Sequence, residues 1–171
     1  MEIEVLIPEN LLRKRVRELA EEISKQFGNS SITVVSVLKG ATVFTADLIR
    51  YIKNRIELDF IRIKSYRGKE KGELKITLLP ELNLKGKQVL IVDDIFDTGE
   101  SLKRVYDEVM KHSPKTIKSC VLLDKKVKKR VNFRPDFVGF EIPDYFIVGY
   151  GLDLNEMYRG LPYIGYFKEG E

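Results

Sequence analysis

The sequence predicts an α/β fold with a parallel central sheet, and two observations carry this prediction. Apolar runs of strand length alternate with segments of helical period, an order that is typical of parallel sheets. The run "VLIV" at 89–92 contains only β-branched residues and Leu, which indicates a strand buried on both faces. With 171 residues, 43% of them hydrophobic, the chain is long enough for one domain with a substantial core and too short for two.

The first half of the chain predicts two helices, two strands and a loop. Residues 11–27 place apolar side chains on one face between charged ones, which is typical of an amphipathic helix that ends at Gly28. The stretch "SITVVSVLKGA" predicts a buried strand that ends near Lys39. Residues 42–51 predict a second helix, and "ELDFIRIKSY" predicts a strand by its alternation. The polar stretch "YRGKEKG" at 66–72 predicts a loop.

The second half of the chain continues the alternation of strands and helices. The stretch "LKITLLPEL" predicts a short strand, "NLKGK" a turn, and 89–92 the central strand. The apolar positions after Ser101 recur with helical period and predict a third helix. The stretch "IKSCVLLD" predicts another buried strand, and "DFVGFEIPDYFIVGYGLDL" contains two further apolar runs separated at Pro143-Asp144.

The composition of the chain excludes some classes of protein but does not identify a single one. The chain has 30 Lys and Arg against 26 Asp and Glu, and a net charge of +4 suits an anionic small substrate as well as RNA. Cys120 is the only cysteine, so we expect a reducing compartment and a small core side chain. The N-terminal "MEIEVLIPEN" does not resemble a signal peptide, and no apolar run approaches the ~20 residues that span a bilayer. We therefore expect a cytoplasmic protein with no membrane partner.

The loop after the central strand has the residues of a phosphate cradle. In an open parallel sheet, ligands bind at the carboxyl ends of the strands, where residues 97–101 would lie. Gly99 allows close approach of the backbone, Thr98 and Ser101 offer hydroxyls, and the start of the following helix presents free N–H groups. A plain turn with a helix cap is the alternative for Asp-Thr-Gly taken by itself.

The acid pair Asp93-Asp94 favours the functional interpretation. Two carboxylates suit the vicinal hydroxyls of a sugar or a hydrated divalent cation better than phosphate itself. No Gly-Lys-Ser/Thr follows the strand, and no G-x-G-x-x-G opens a βαβ unit, so the common nucleotide-binding loops are absent.

Three stretches carry a resemblance to a known family. The stretch "VLIVDDIFDTGESL" resembles the phosphoribosyl pyrophosphate signature of type I phosphoribosyltransferases. The stretch "RPDFVGFEIPDYFIVGYGLDLNEMYRGLPYIG" resembles the C-terminal region of hypoxanthine-guanine phosphoribosyltransferases, and "VLKGATVF" resembles their pyrophosphate loop. The match runs from about residue 34 to 163 with the motifs in order. It implies a single domain over 1–171, with a core of about 30–140, helices on both faces, and a small hood from about 141–171 and the N-terminus.

The resemblance also implies a reaction. Members transfer the 5-phosphoribosyl group from phosphoribosyl pyrophosphate to a 6-oxopurine, hypoxanthine or guanine, and release IMP or GMP and pyrophosphate in purine salvage. It implies Mg²⁺ as the cofactor and a homodimer or homotetramer. Within the signature, Asp93 and Asp94 would hold the ribose hydroxyls and, through water, Mg²⁺. Asp97 would also exchange a proton with N7 of the purine. The 5′-phosphate would be held by Asp97, Thr98, Gly99, Glu100 and Ser101.

The other implied contacts are dispersed along the chain. Pyrophosphate would contact Arg159 and the backbone N–H groups at Leu38, Lys39 and Gly40, because the 38–39 peptide can be cis in the family. Asp153 would be a second Mg²⁺ contact. Ser65 and Tyr66 would open a lid, in which relatives carry Ser-Thr-Gly where this chain has Glu70-Lys71-Gly72 in a shorter segment.

On the base side, the resemblance makes Lys125 the donor to the 6-oxo group. An ammonium cannot usefully donate to a 6-amino group, so Lys125 favours hypoxanthine or guanine over adenine. Phe146 would stack on the purine, although burial in a core is the commoner environment for an aromatic residue taken alone. Ile147 would offer backbone groups to the base edge. The neighbours Lys126, Lys128, Lys129 and Arg130 are interpreted as a solvated basic loop.

Two other classes of protein remain open at this point. A regulator with the same fold could bind nucleic acid through the basic loop 125–130. The complete base-side set of Lys125, Phe146 and Asp153 argues against it, so no nucleic-acid partner is expected. A phosphate-binding, receiver-like or nucleotide-binding domain fits less well, because the acid pair lies mid-chain beside Asp-Thr-Gly.

Overall fold

The computed structural model describes residues 2–66 and 72–168. The helices are α1 (Glu9–Phe27), α2 (Thr42–Ile49) and α3 (Glu100–Met110). The strands are β1 (Ile3–Ile7), β2 (Ile32–Leu38), β3 (Ile56–Tyr66), β4 (Glu73–Leu78), β5 (Gln88–Phe96), β6 (Thr116–Lys125), β7 (Phe137–Ile142), β8 (Ile147–Val148) and β9 (Ile164–Phe167). No helix in these two ranges is long and apolar enough to cross a membrane.

Six strands form the main sheet in the order β4-β3-β2-β5-β6-β7, which confirms the predicted α/β class. All neighbours pair in parallel except β3 and β4, which are antiparallel. The predicted parallel sheet is therefore confirmed, with β4 as an antiparallel strand at its edge. Residues 67–72 between β3 and β4 are too few for a parallel crossover, which needs about a dozen residues or more.

Apolar side chains cover both faces of this sheet, as the uninterrupted run at 89–92 predicts. Leu90 and Val92 pack on the face covered by α1 and α2. Val89 and Ile91 pack on the opposite face against α3. Cys120 is fully buried in the first of these cores, and burial raises the pKa of its thiol, so it acts as a small apolar side chain.

Several element boundaries differ from the prediction. The strand β5 continues past the apolar run to Phe96, so Asp93 and Asp94 lie inside it and do not follow it. Backbone pairing with β6 extends the strand this far, with Asp93 opposite Val121. Lys125 is likewise the last residue of β6, and Tyr66 is the last residue of β3 and not part of a loop.

The second sheet has the order β1-β9-β8 and is antiparallel. It joins the N-terminal segment to the C-terminal one, with Ile3 opposite Phe167. These are the two parts of the chain that were expected to form the hood, whose boundary near residue 141 stays a prediction. The strand Ile3–Ile7 was not predicted, because "IEVLI" is short and does not alternate cleanly.

Candidate active site

The strand order places one crevice at the carboxyl ends of β2 and β5. These neighbours lie at the switch in strand order, since the chain leaves β2 for β3 on one side and β5 for β6 on the other. The helix after β2 covers one face of the sheet and the helix after β5 covers the other, and such a switch point is where open α/β sheets bind ligands. A cavity of about 320 Å³ opens there. Its lining includes Leu38, Gly40, Asp93, Asp94, Asp97, Thr98, Gly99 and Ser101.

Gly99 makes the sharp turn from β5 into α3. Its φ is 91°, and a Cβ at this position would lie 2.6 Å from Val131 Cγ2. The backbone can therefore adopt this turn only without a side chain. The first N–H groups of α3 lie at the end of the helix that borders the cavity. They have no acceptor within the helix. Thr98 Oγ1 donates to Glu100 Oε2 over 3.3 Å.

Asp93, which is buried, and Asp94, which is partly buried, line the cavity as two neighbouring carboxyl groups. Asp93 is only 6% exposed. Burial, followed by the charge of Asp94, raises the pKa of Asp93 well above its usual value. Burial also raises the pKa of Asp94, although hydrogen bonds and the more distant Arg159 act in the opposite direction. Burial therefore penalises the charged forms of both carboxyl groups, and a bound cation or hydroxyl donors would stabilise them.

The end of β2 meets this pair through a glycine. The Leu38–Lys39 peptide is cis, the form that the resemblance allows. A Cβ on Gly40 would lie 2.0 Å from Asp94 Oδ2, so only glycine lets the loop approach the carboxylate this closely. Gly151 approaches from the other side, where its Cβ would lie 2.4 Å from the Gly40 carbonyl oxygen.

The ammonium of Lys39 and the guanidinium of Arg159 share one carboxylate. Lys39 Nζ lies 2.9 Å from Glu156 Oε2, and Arg159 Nη2 lies 3.2 Å from Glu156 Oε1. Asp153 is 3.3 Å from the same guanidinium. Glu156 was not singled out in the sequence, where it is one acid among many.

Asp153 does not join the acid pair. Across residues 2–66 and 72–168, no three His, Cys, Asp or Glu side chains converge as ligands of a single metal ion. The three carboxylates proposed as metal contacts therefore do not form one cluster.

The expected base contacts lie beside the cradle. Lys125 Nζ is 3.2 Å from Asp144 Oδ1 and 3.8 Å from Asp97 Oδ2, and its side chain is 13% exposed. Phe146 is 57% exposed, so it is not a core residue. It lines a neighbouring cavity with Asp144. Ile147 is buried at the start of β8.

Ser65 and Tyr66 end β3 and do not line the cavity. They pair with Leu74 and Glu73 of β4 and are exposed to solvent. The lid that they were expected to open continues through Glu70 and Lys71, which lie outside the described residues.

Lys129 contradicts the interpretation of 126–130 as a solvated loop. Its side chain is 16% exposed, and its ammonium contacts Asp124 and backbone carbonyl oxygens. The chain passes back over the end of β5 here, where the Arg130 N–H donates to the Thr98 carbonyl oxygen over 2.9 Å. Lys126, Lys128 and Arg130 are exposed, as predicted. Nothing in the local sequence distinguishes Lys129 from Lys128, so only the path of the chain identifies it.

Comparison with known proteins gives consistent results. Residues 8–155 match the model of the phosphoribosyl transferase domain family. The chain is 44% identical to the hypoxanthine-guanine phosphoribosyltransferase of Aquifex aeolicus, over 94% of this chain and 92% of the relative. It is 47% identical to the hypoxanthine phosphoribosyltransferase of Buchnera aphidicola, over 95% and 94%. The crystal structure of a hypoxanthine-guanine phosphoribosyltransferase from Bacillus anthracis superimposes with a TM-score of 0.90 at 46% identity, covering 97% of this chain and 99% of that one.

Proposed function

The chain belongs to the hypoxanthine-guanine phosphoribosyltransferase family, and we propose that its cavity at the ends of β2 and β5 is where the phosphoribosyl group is transferred. The substrates would be phosphoribosyl pyrophosphate and hypoxanthine or guanine, and the products IMP or GMP and pyrophosphate. One observation carries the proposal: the N-terminus of α3, which follows the turn at Gly99, and the acid pair Asp93-Asp94 line the same cavity. The first suits a phosphate, and the second suits a sugar that carries two neighbouring hydroxyls.

The phosphate and pyrophosphate groups would occupy opposite ends of the cavity. The N–H groups of 98–101 and the hydroxyls of Thr98 and Ser101 would hold the 5′-phosphate. Lys39, Arg159 and the backbone at Leu38 and Gly40 would hold pyrophosphate. Arg159 Nε supports this role, since it is buried and has no hydrogen-bond acceptor among the described residues. Pyrophosphate would replace Glu156 as the anion between the two cations.

Magnesium fits the acid pair on chemical grounds. Carboxylate oxygens are the ligands that Mg²⁺ prefers, and burial raises the pKa values of Asp93 and Asp94, a penalty on their charged forms that a bound cation would offset. We propose that this pair holds Mg²⁺ through water and that Asp153 holds a second ion beside pyrophosphate. When bound, Mg²⁺ would neutralise charge on the leaving pyrophosphate.

Asp97 and Lys125 would act together on one edge of the purine. The 6-oxo group and N7 are neighbours on that edge, as they are in the major groove of DNA. Lys125 would donate to the oxygen while the carboxylate of Asp97 accepts the proton from N7. Purine N9 forms the new bond to the anomeric carbon as the bond from that carbon to pyrophosphate breaks. The 3.8 Å between the two side chains supports this shared role.

Phe146 and Ile147 would complete the base site. The exposed ring of Phe146 is free to stack on a purine face, and Ile147 offers backbone groups to the edge that carries the 2-position. Because hypoxanthine, guanine and xanthine differ at that position, we propose only the 6-oxopurine class. A homodimer or homotetramer remains our expectation for the assembly.

A pyrophosphate-release assay tests the proposal. Phosphoribosyl pyrophosphate, Mg²⁺ and one base at a time are supplied, the bases being hypoxanthine, guanine, xanthine and adenine. We expect turnover with an oxopurine, none with adenine, and loss of activity when the metal is chelated. If no base supports turnover while phosphoribosyl pyrophosphate still binds in calorimetry, the proposal is wrong and the regulator class is favoured.

A further inference from the structure

The ammonium of Lys129 joins the backbone that carries Asp97 to the backbone that carries Lys125. Lys129 Nζ lies 2.7 Å from the Asp97 carbonyl oxygen and 2.7 Å from the Lys125 carbonyl oxygen. We propose that Lys129 is a positioning residue that fixes the spacing between these two side chains. The proposal rests on the roles given above to Asp97 and Lys125.

Two further contacts hold the ammonium in place. Asp124 Oδ1 is 2.7 Å away and balances its charge. The Phe96 carbonyl oxygen is 3.2 Å away, and the ring of the same residue presents its face 4.6 Å from Nζ. A Lys ammonium has only three N–H donors, so the Phe96 oxygen, the most distant acceptor, receives the weakest share. Both charged side chains are more than four-fifths buried, which makes this pair well ordered and costly to break.

The location of this contact explains its function. The backbone ladder between β5 and β6 ends at the pair Phe96 and Asp124, one residue before Asp97 and Lys125. Beyond that pair, the side chain of Lys129 donates to the carbonyl oxygens of both Asp97 and Lys125, and the Lys125 oxygen also accepts from the Val127 N–H over 2.8 Å. Asp97 directly follows β5 and Lys125 ends β6, yet their charged groups are 3.8 Å apart. A displacement of about 1 Å between reacting groups can reduce turnover by about 100-fold.

The variant Lys129→Met tests the proposal, because it keeps the length of the side chain and removes the ammonium. We expect kcat for hypoxanthine to fall by about 10- to 100-fold, the KM for hypoxanthine to rise, and the KM for phosphoribosyl pyrophosphate to change by less than about 3-fold. Lys128→Met is the matched control, since Lys128 is exposed and the change in charge is the same. We expect its kinetics to equal those of the wild type.

A double-mutant cycle separates positioning from a general structural role. If Lys129 acts on turnover through Asp97, Lys129→Met should reduce kcat by less than about 3-fold when Asp97 is already Asn. An equal reduction in both backgrounds, or no reduction in the wild-type background, would overturn the proposal. If Lys129→Met does not fold, Lys129→Gln is put through the same cycle under the same criteria. Turnover by the wild type is measured separately, so a failure of the proposed function is distinguished from a failure of the proposal for Lys129.

Discussion

Lys125 and Asp97 bring opposite charges within 3.8 Å of each other at the ends of two different strands. Lys125 is largely buried, whereas the side chain of Asp97 is about half exposed. A second acid, Asp144, lies 3.2 Å from the ammonium and comes from the segment before β8. The Lys125 ammonium is thus held between the loop after β5 and the C-terminal segment, so a base that binds it would contact both parts of the chain.

Asp97→Asn should slow turnover far more than it weakens the binding of phosphoribosyl pyrophosphate. The amide keeps the size of the side chain but cannot accept the proton from N7. We expect kcat to fall by about 100- to 10,000-fold, the usual contribution of a general acid or base. The affinity for phosphoribosyl pyrophosphate should change by less than about 5-fold, because the phosphate is held mainly by backbone N–H groups. Steady-state kinetics and calorimetry measure the two quantities.

Asp107→Asn is the control for this experiment, because Asp107 is exposed on α3 and contacts only Lys103 among the described residues. It should leave both quantities unchanged. If Asp97→Asn weakens binding as much as it slows turnover, Asp97 does not exchange the proton.

Lys125→Ala should raise the KM for the purine. A hydrogen bond from a charged donor contributes about 1.5–3 kcal/mol, so we expect an increase of about 10- to 100-fold for hypoxanthine. Discrimination against adenine should weaken as well. Lys126→Ala is the matched control, because that side chain is 65% exposed. An unchanged KM in Lys125→Ala would remove this residue from base recognition.

Periodicity and apolar runs predicted the core of the fold well. Val89–Val92 is buried on both faces, and the three helices lie close to their predicted positions. The antiparallel β4 was missed because pairing direction depends on the length of the connection and not on the pattern within the strand. The two-residue strand Ile147–Val148 is too short to give any pattern.

The candidate-site residues that the sequence places in one contiguous stretch do come together in the structure. Residues 93–101 all line the same cavity except Glu100, whose carboxylate accepts a hydrogen bond from Thr98. Lys129 and Glu156 were missed, because each acquires its contacts only when distant segments meet in three dimensions. No local signal separates such residues from the other charged residues of the surface.

Gly40→Ala should damage the site without a change in charge. The added Cβ would overlap Asp94 Oδ2, so the loop or the carboxylate must move. Forced repacking of this kind costs about 1–3 kcal/mol, and we expect the KM for phosphoribosyl pyrophosphate to rise by about 5- to 100-fold. Gly160→Ala is the control, since a Cβ there meets nothing within 4 Å. Equal kinetics for both variants would mean that the contact between Gly40 and Asp94 is not needed for binding.

Phe146→Ala should weaken purine binding without loss of stability. The ring is 57% exposed, and substitutions at exposed positions usually change the free energy of unfolding by no more than about 0.5 kcal/mol. Stacking of a base on an aromatic ring contributes about 1–3 kcal/mol, so the KM for hypoxanthine should rise by about 5- to 100-fold while Tm is unchanged. Met157→Ala removes a side chain that is 64% exposed and serves as the control. A fall in Tm with an unchanged KM would assign Phe146 to packing against Phe167, whose ring centroid is 6.4 Å away, and not to the base.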